Sequence, residues 1–367
     1  MRYKFTEKII ETITNRFGKI GEQVFDSSEL LKYINYKTQS ADRGSKSRSS
    51  FGNLYAIYVI VEDYIAKGFH KRGNYGKYEG ARFSDLFKRQ RELPFGEKLQ
   101  NHALNHRMNQ EFKKLFPTSD FIPIIREIES KRYWINTNLL KVRIGRRIFN
   151  IAEVLIEIID AYIESKQRAF RDFVKICEDF KNIETAKNKD ASEFICSLLA
   201  PNIDARIFEI VSYAILKASY GEQSVYWGFS QETVSEEKLK LFKTGRTNAN
   251  DGGIDFVMKP LGRFFQVTET TDVKKYFLDI DKLEKYPITF VIKSEREPEF
   301  LWQKIRDGAE KQYSIEAVVN KYMNCIEEII TINKLKEELR NLEKNGKLSD
   351  VLGEILIQSK IEFNFSD

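Results

Sequence analysis

Between Gly253 and Thr268 apolar residues recur at every second position, and this short stretch constrains the fold more than any other. Ile254, Phe256 and Met258 alternate with Asp255, Val257 and Lys259, and beyond a turn Phe265 and Val267 alternate with Phe264, Gln266 and Thr268. A period of two is that of a half-buried strand. Lys259-Pro260-Leu261-Gly262 reads as the turn, because proline pre-sets one torsion and glycine accepts the rest. Pairing Met258 with Arg263 sets Asp255 opposite Gln266, with Cβ atoms roughly 5 Å apart. One face of the hairpin is then apolar except for Arg263. The other gathers Asp255, Gln266 and Thr268 beside an Asp251-Gly252-Gly253 loop, where two glycines let another backbone approach closely. Oxygen-rich side chains converging in this way suit a hard cation.

At 367 residues and 42% hydrophobic, the chain is long enough for two or three domains with ordinary cores. No apolar run approaches the ~20 residues that span a bilayer, and the start, MRYKFTEKIIETI, lacks a hydrophobic leader pattern. A soluble protein without a membrane partner is expected. Cys177, Cys196 and Cys325 are odd in number and lie in apolar patterns, which predicts buried thiols and a cytoplasmic location. The formal charge is +6, yet residues 37–114 carry 16 Lys and Arg against 8 Asp and Glu, an excess larger than that of the whole chain. A basic lobe of this kind suggests a polyanionic partner, and a lysine-rich solvated surface is the alternative.

The pattern predicts a helical start with Ile9, Ile10, Ile13, Phe17 and Ile20 on one face, a Ser/Gly/Arg loop from Lys37 to Gly52, and a buried helix from Leu54 to Ile65. From Trp134 to about Phe180 the reading is helical, notably Ile148–Ile163, with Arg143, Arg146 and Arg147 ahead of it. Asn202 or Asp204 is placed to cap a helix from Ala205 to Ser219. After the hairpin come a helix from Asp272 to Lys285, a strand from Ile288 to Ile292, and helix again past Arg296, strongly periodic from Ile315 to Leu339. Three regions follow: a mainly helical basic region over 1–180, a core over 190–300, and a helical C-terminal region over 301–367 that offers a dimerisation surface.

Phe208-Glu209 on the first of these core helices, Gly253-Ile254-Asp255 on one strand and Gln266-Val267-Thr268 on the next resemble the Mrr-like branch of the PD-(D/E)XK nuclease superfamily. There a helix bears Phe-Glu, a strand Gly-Ile-Asp, and the next strand Gln-x-Lys. The likeness covers about 90 residues. It implies an α/β fold, a mixed central sheet flanked by helices, with Asp255 as the central Mg²⁺ ligand, Gln266 in the place of a second ligand and Glu209 reaching in from the helix. Thr268 stands where the family has lysine, and Lys274, Lys275 or Lys293 from neighbouring elements could supply the missing charge. The resemblance further implies an ATP-independent type II restriction endonuclease acting as a homodimer on double-stranded DNA. Absence of a G-x-x-x-x-G-K-[ST] loop agrees with independence from ATP. The alternatives are a DNA-binding protein that keeps the fold without catalysis, and an RNA-processing nuclease.

DNA contacts are expected from Arg43, Lys46 and Arg48 in the Ser/Gly/Arg loop, since guanidinium forks and hydroxyls suit phosphate oxygens. Lys71, Arg72, Arg246, Asn248 and Asn250 complete the set. Tyr75, Tyr78 and Phe83 are either base-stacking platforms or core aromatics. His102 and His106, four apart, are spaced to bind a metal, but with no third ligand evident they read as a solvent-facing pair near DNA.

Overall fold

The computed structural model describes residues 2–39, 47–71, 73–97, 99–181, 188–244, 254–269 and 272–363. The chain is mixed α/β and divides into two compact units, residues 1–172 and 173–367.

In the first unit α1 (Lys4–Phe17), α2 (Gly21–Ser27) and α3 (Glu29–Thr38) precede α4 (Ser47–Ala66), and α3 meets α4 where Asn53 donates to the Tyr33 hydroxyl at 2.8 Å. Residues 54–61 of α4 are buried on every side, as an all-round apolar helix must be. Then come β1 (Ala81–Arg82), α5 (Phe83–Glu92), α6 (Met108–Leu115), β2 (Ile124–Glu127), β3 (Arg132–Ile135), α7 (Thr137–Leu140), β4 (Lys141–Ile144) and β5 (Arg147–Asn150). Strands β1, β3 and β2 form a small sheet, and β4 pairs with β5 alone.

Two expectations are corrected here. Residues 47–52, read as loop, open α4, and Lys37 is not on a loop at all but at the end of α3, its ammonium buried against Glu111 at 2.7 Å. The helix expected from Trp134 begins only at Ala152, as α8 (Ala152–Lys181), whose first N–H groups include one donating to the Asn150 side chain at 2.9 Å. Ahead of it, KVRIGRRIFN alternates with a glycine at its centre, and Gly145 adopts φ +57°, so the segment folds as a hairpin. The helical period of the residues after 151 obscures this in the sequence.

The second unit contains α9 (Asn188–Ser197), α10 (Ala205–Gly221), a β6 (Ser224–Trp227) and β7 (Ser235–Lys238) hairpin, then β8 (Lys240–Lys243), β9 (Phe256–Lys259), β10 (Arg263–Thr268), α11 (Val273–Lys282), β11 (Ile288–Ile292), α12 (Pro298–Gln312), α13 (Glu316–Met323), β12 (Ile326–Thr331), α14 (Ile332–Lys344) and α15 (Leu348–Phe363). Its sheet has the order β12-β11-β10-β9-β8. Strands β8, β9 and β10 run as an antiparallel meander, and β11 and β12 join parallel to β10. The hairpin register is the expected one, with Met258 facing Arg263 and Phe256 facing Phe265. The helix expected through Ile315–Leu339 is instead interrupted by β12, where Ile326, Ile329, Ile330 and Thr331 supply the β-branched residues that a parallel strand beside fully buried β11 favours.

Helix α10 is capped as expected, the Asp204 carboxylate accepting from Arg206 N at 2.9 Å. It covers one face of the sheet, Tyr213 against Phe256 and Tyr220 against Phe265. On its outer side α10 meets α14 and α15 through Ser219–Glu338 at 2.5 Å and Lys217–Glu354 at 2.8 Å, so residues 301–367, expected as a region of their own, fall within this unit. The opposite face is covered by α11, Tyr276 packing on Phe290 at 4.6 Å between ring centroids. Among the described residues no helix is long and apolar enough to cross a membrane.

Candidate functional site at the end of the central sheet

Regular pairing between β9 and β10 stops at Phe256 and Phe265, and the next residues make a different arrangement. Asp255 N–H donates to Phe265 O at 2.9 Å, while Val267 N–H donates to the Asp255 carboxylate at 2.7 Å. A side-chain oxygen thus takes the place of a backbone acceptor, which fixes the carboxylate at the end of the ladder. Ile254 O turns instead to the Thr244 hydroxyl.

Alternation decides the faces. Phe256 and Phe265 lie under α10, so Gln266 and Thr268 point to the α11 side, level with Phe290 and Ile292 of β11. Gln266 is buried. Its Nε2 donates to Val267 O at 3.2 Å, and its Oε1 has no hydrogen-bond partner among the described residues. An orphaned amide oxygen in the interior costs ~1–3 kcal/mol unless something unseen satisfies it. Thr268 is also buried, and its hydroxyl accepts from Lys275 Nζ of α11 at 3.1 Å. Of the three lysines named from sequence, Lys275 is the one at Thr268. Lys293 is held by Glu269 at 2.6 Å and by Ile203 O, with its ammonium over the Phe208 ring, on the α10 side where alternation puts Glu269. Lys274 is exposed, and its backbone N–H caps onto Asp272.

Glu209 sits in the second turn of α10 and pairs with Lys243 of β8 at 2.7 Å. Burial first, and the nearby Glu209 charge second, push the Asp255 carboxyl up to about 7, against the opposing pull of Val267 N–H, Lys243 and Lys275. A buried carboxyl whose pKa is raised by burial and by a second carboxylate, with two lysines opposing, has the kind of perturbed titration that marks a candidate site.

Lys243 was missed in the sequence because β8 is only four residues long. Its signal was the buried Leu241 between exposed Lys240 and Phe242. Other sequence candidates fall elsewhere. Arg43, Lys46, Arg72, Arg246, Asn248 and Asn250, with the Asp251-Gly252-Gly253 loop, lie outside the described residues, and Arg48 is on α4 with its side chain outside them. Lys71 is exposed in the first unit. Tyr78 is a core aromatic, packed edge-on against Tyr64 and donating its hydroxyl to Asp63 at 2.5 Å, and Phe83 stacks on Phe87. His102 and His106 lie ring against ring at 5.9 Å on the surface. Among the described residues no three His, Cys, Asp or Glu side chains gather as a metal cluster. No family model matches this chain, and no curated protein or solved structure does.

Proposed function

We propose that the chain is a Mg²⁺-dependent, ATP-independent endonuclease that cuts double-stranded DNA at a specific site, in the manner of type II restriction enzymes. The observation that carries this reading is the buried Asp255 carboxylate, held by Val267 N–H of the next strand, together with the buried Gln266 of that strand, whose Oε1 has no hydrogen-bond partner among the described residues. The order of elements supports it: helix α10, antiparallel strands, helix α11 and parallel strand β11 follow the order implied by the PD-(D/E)XK likeness.

The residues fit the ion. Mg²⁺ takes hard oxygen donors, keeps several waters and needs only one or two carboxylates from the protein. Asp255 and Gln266 would hold it, with Glu209 able to join by leaving Lys243 or to act through water. Bound there, the ion would supply a Lewis acid that activates water and offsets charge on the attacked phosphate. The chain's own groups do the rest. Val267 N–H orients the Asp255 carboxylate. Lys275, brought by α11 rather than by the strand, sets an ammonium at Thr268, and a fixed cation beside a phosphate stabilises charge that develops in the transition state. Burial pushes the Asp255 carboxyl up to about 7, so below that pH an ion that needs the ionised carboxylate would displace a proton.

The test is cleavage of mixed plasmid and phage DNA with Mg²⁺, in parallel with duplex binding in EDTA. Discrete bands from the wild type, lost in Asp255→Asn with binding kept within several-fold, are the expected result. Tight duplex binding with no cleavage under any divalent ion would favour the second reading, a nuclease fold kept for DNA binding alone. That reading draws on Thr268 standing where the family has lysine. A preference for RNA over duplex DNA in competition would overturn both. Two-fold DNA sites favour two-fold proteins, so a homodimer is part of the proposal, and sedimentation of the full chain checks it.

A further inference from the structure

The β4–β5 hairpin carries four basic residues, Lys141, Arg143, Arg146 and Arg147, and no acidic one in its ten positions. Elsewhere in the described chain arginine is commonly neutralised: Arg16, Arg89, Arg168, Arg206, Arg263 and Arg306 each hold a carboxylate within 3.2 Å. Arg143, Arg146 and Arg147 are exposed, and among the described residues none of their side chains has an ionic, hydrogen-bonding or ring partner. Three guanidiniums within five residues repel one another, an arrangement that raises the energy of the free protein and is relieved by an anion.

The hairpin is also held as a rigid element, unlike a solvated tail. Val142 is buried, Phe149 packs edge-on against Phe17 at 5.7 Å, and Asn150 donates to the Tyr64 hydroxyl at 3.1 Å. Gly145 takes φ +57° as the first residue of a two-residue loop, a tight connection that keeps the two strands in register to the tip. Beside the arginines, Ile148 is 46% exposed opposite Arg143. A narrow two-stranded ribbon with cations at its tip and one apolar side chain on its outer face matches the major groove of B-form DNA. That groove is about 12 Å wide and admits a β-ribbon, arginine forks pair with guanine edges or phosphates, and an apolar group meets the thymine methyl. The A-form major groove of duplex RNA is too deep and narrow for the same entry.

We infer that β4–β5 is a DNA-contacting ribbon that enters the major groove of the B-form duplex. The inference rests on the nuclease reading for the identity of the polyanion. The test uses the full chain in EDTA on a 30-base-pair duplex, titrated across salt, with Arg143→Gln, Arg146→Gln and Arg147→Gln combined. A control combines Arg2→Gln, Lys8→Gln and Arg168→Gln, which removes the same charge from exposed cations already paired with Glu22, Glu11 and Glu164. Melting curves check that both fold. The ribbon variant should bind about 10- to 100-fold more weakly at 0.15 M salt, and its plot of log K against log salt should flatten by about two to three units, near 0.9 for each phosphate no longer neutralised. The control should stay within about threefold with a slope change under one unit. Equal behaviour of the two variants overturns the ribbon's role while leaving the nuclease reading standing. Arginine-dependent binding in a wild type that never cuts DNA under Mg²⁺ keeps the ribbon and removes the nuclease. Tighter arginine-dependent binding to duplex RNA, or to phosphatidylserine vesicles, overturns the assignment to B-form DNA.

Discussion

On the proposed nuclease reading, Thr268 and Lys275 would let a charge keep its place in space while leaving its place in sequence. On β10 a lysine at position 268 would reach the site directly. Here the strand carries a hydroxyl, and the ammonium arrives from α11, seven residues on, to donate to it at 3.1 Å. Lys275→Met should therefore lower cleavage about 100-fold or more while duplex binding in EDTA changes less than threefold, because the group is assigned to the developing charge rather than to recognition. Thr268→Val, which only removes the hydroxyl that Lys275 grips, should cost less, about 10-fold. In the Lys275→Met background, Thr268→Lys should recover part of the missing rate. Equal losses of binding and cleavage in Lys275→Met would remove it from the site. The sequence alone made Asp255, Gln266 and Thr268 legible as one face, since a period of two fixes faces without any tertiary knowledge. It left three lysines open, because which helix side chain reaches a strand depends on how the helix packs.

Strand β10 depends on its neighbours at both ends. Near the turn, Arg263 of β10 pairs with Glu327 at 3.1 Å and with Glu328, both on β12, and donates to Thr289 of β11 at 3.1 Å, lacing three strands together. Arg263→Met should destabilise the protein by roughly 1–3 kcal/mol, below the ~3–5 of a fully buried pair because both carboxylates are more than a third exposed. A change under ~0.5 kcal/mol in denaturant unfolding would show the lacing to be ornamental. At the turn itself Gly262 has φ +66°, and a Cβ there would meet nothing within 4 Å. Gly262→Ala should cost about 1 kcal/mol from backbone conformation alone, whereas Gly76→Ala, equally open but without a positive φ, should be neutral or slightly stabilising. Two of the segments that the sequence misjudged share one cause. In β4–β5 and in β12 a short run of β-branched residues is followed immediately by a long amphipathic helix, and the helical period of the longer element swamps the four to six residues before it. Helix α10 was legible because its cap, Asp204, and its apolar run agree.

At the scale of the whole molecule, stability and the proposed function are linked through the same carboxyl. Asp255 titrates near 7 in the folded chain and near 3.9 when unfolded. Between those values the native protein keeps a proton that the unfolded chain has released, so folding stability falls as pH rises from about 4 to about 7 and this contribution is flat above that. Its slope approaches 1.4 kcal/mol per pH unit. Asp255→Asn should abolish that slope and be the more stable protein at pH 8 without metal. A Mg²⁺ ion that needs the ionised carboxylate acts in the opposite sense. It stabilises the native state by RT ln(1 + [Mg²⁺]/Kd), most at pH 8, where no proton has to be displaced, and progressively less below 7. Melting temperatures of the wild type should thus rise with Mg²⁺ at pH 8 by a few degrees, rise far less at pH 5.5, and not respond to Mg²⁺ in Asp255→Asn at either pH. A Mg²⁺ response of equal size in Asp255→Asn would place the ion elsewhere, while a pH-independent response in the wild type would mean that no carboxyl with a raised pKa takes part in holding it.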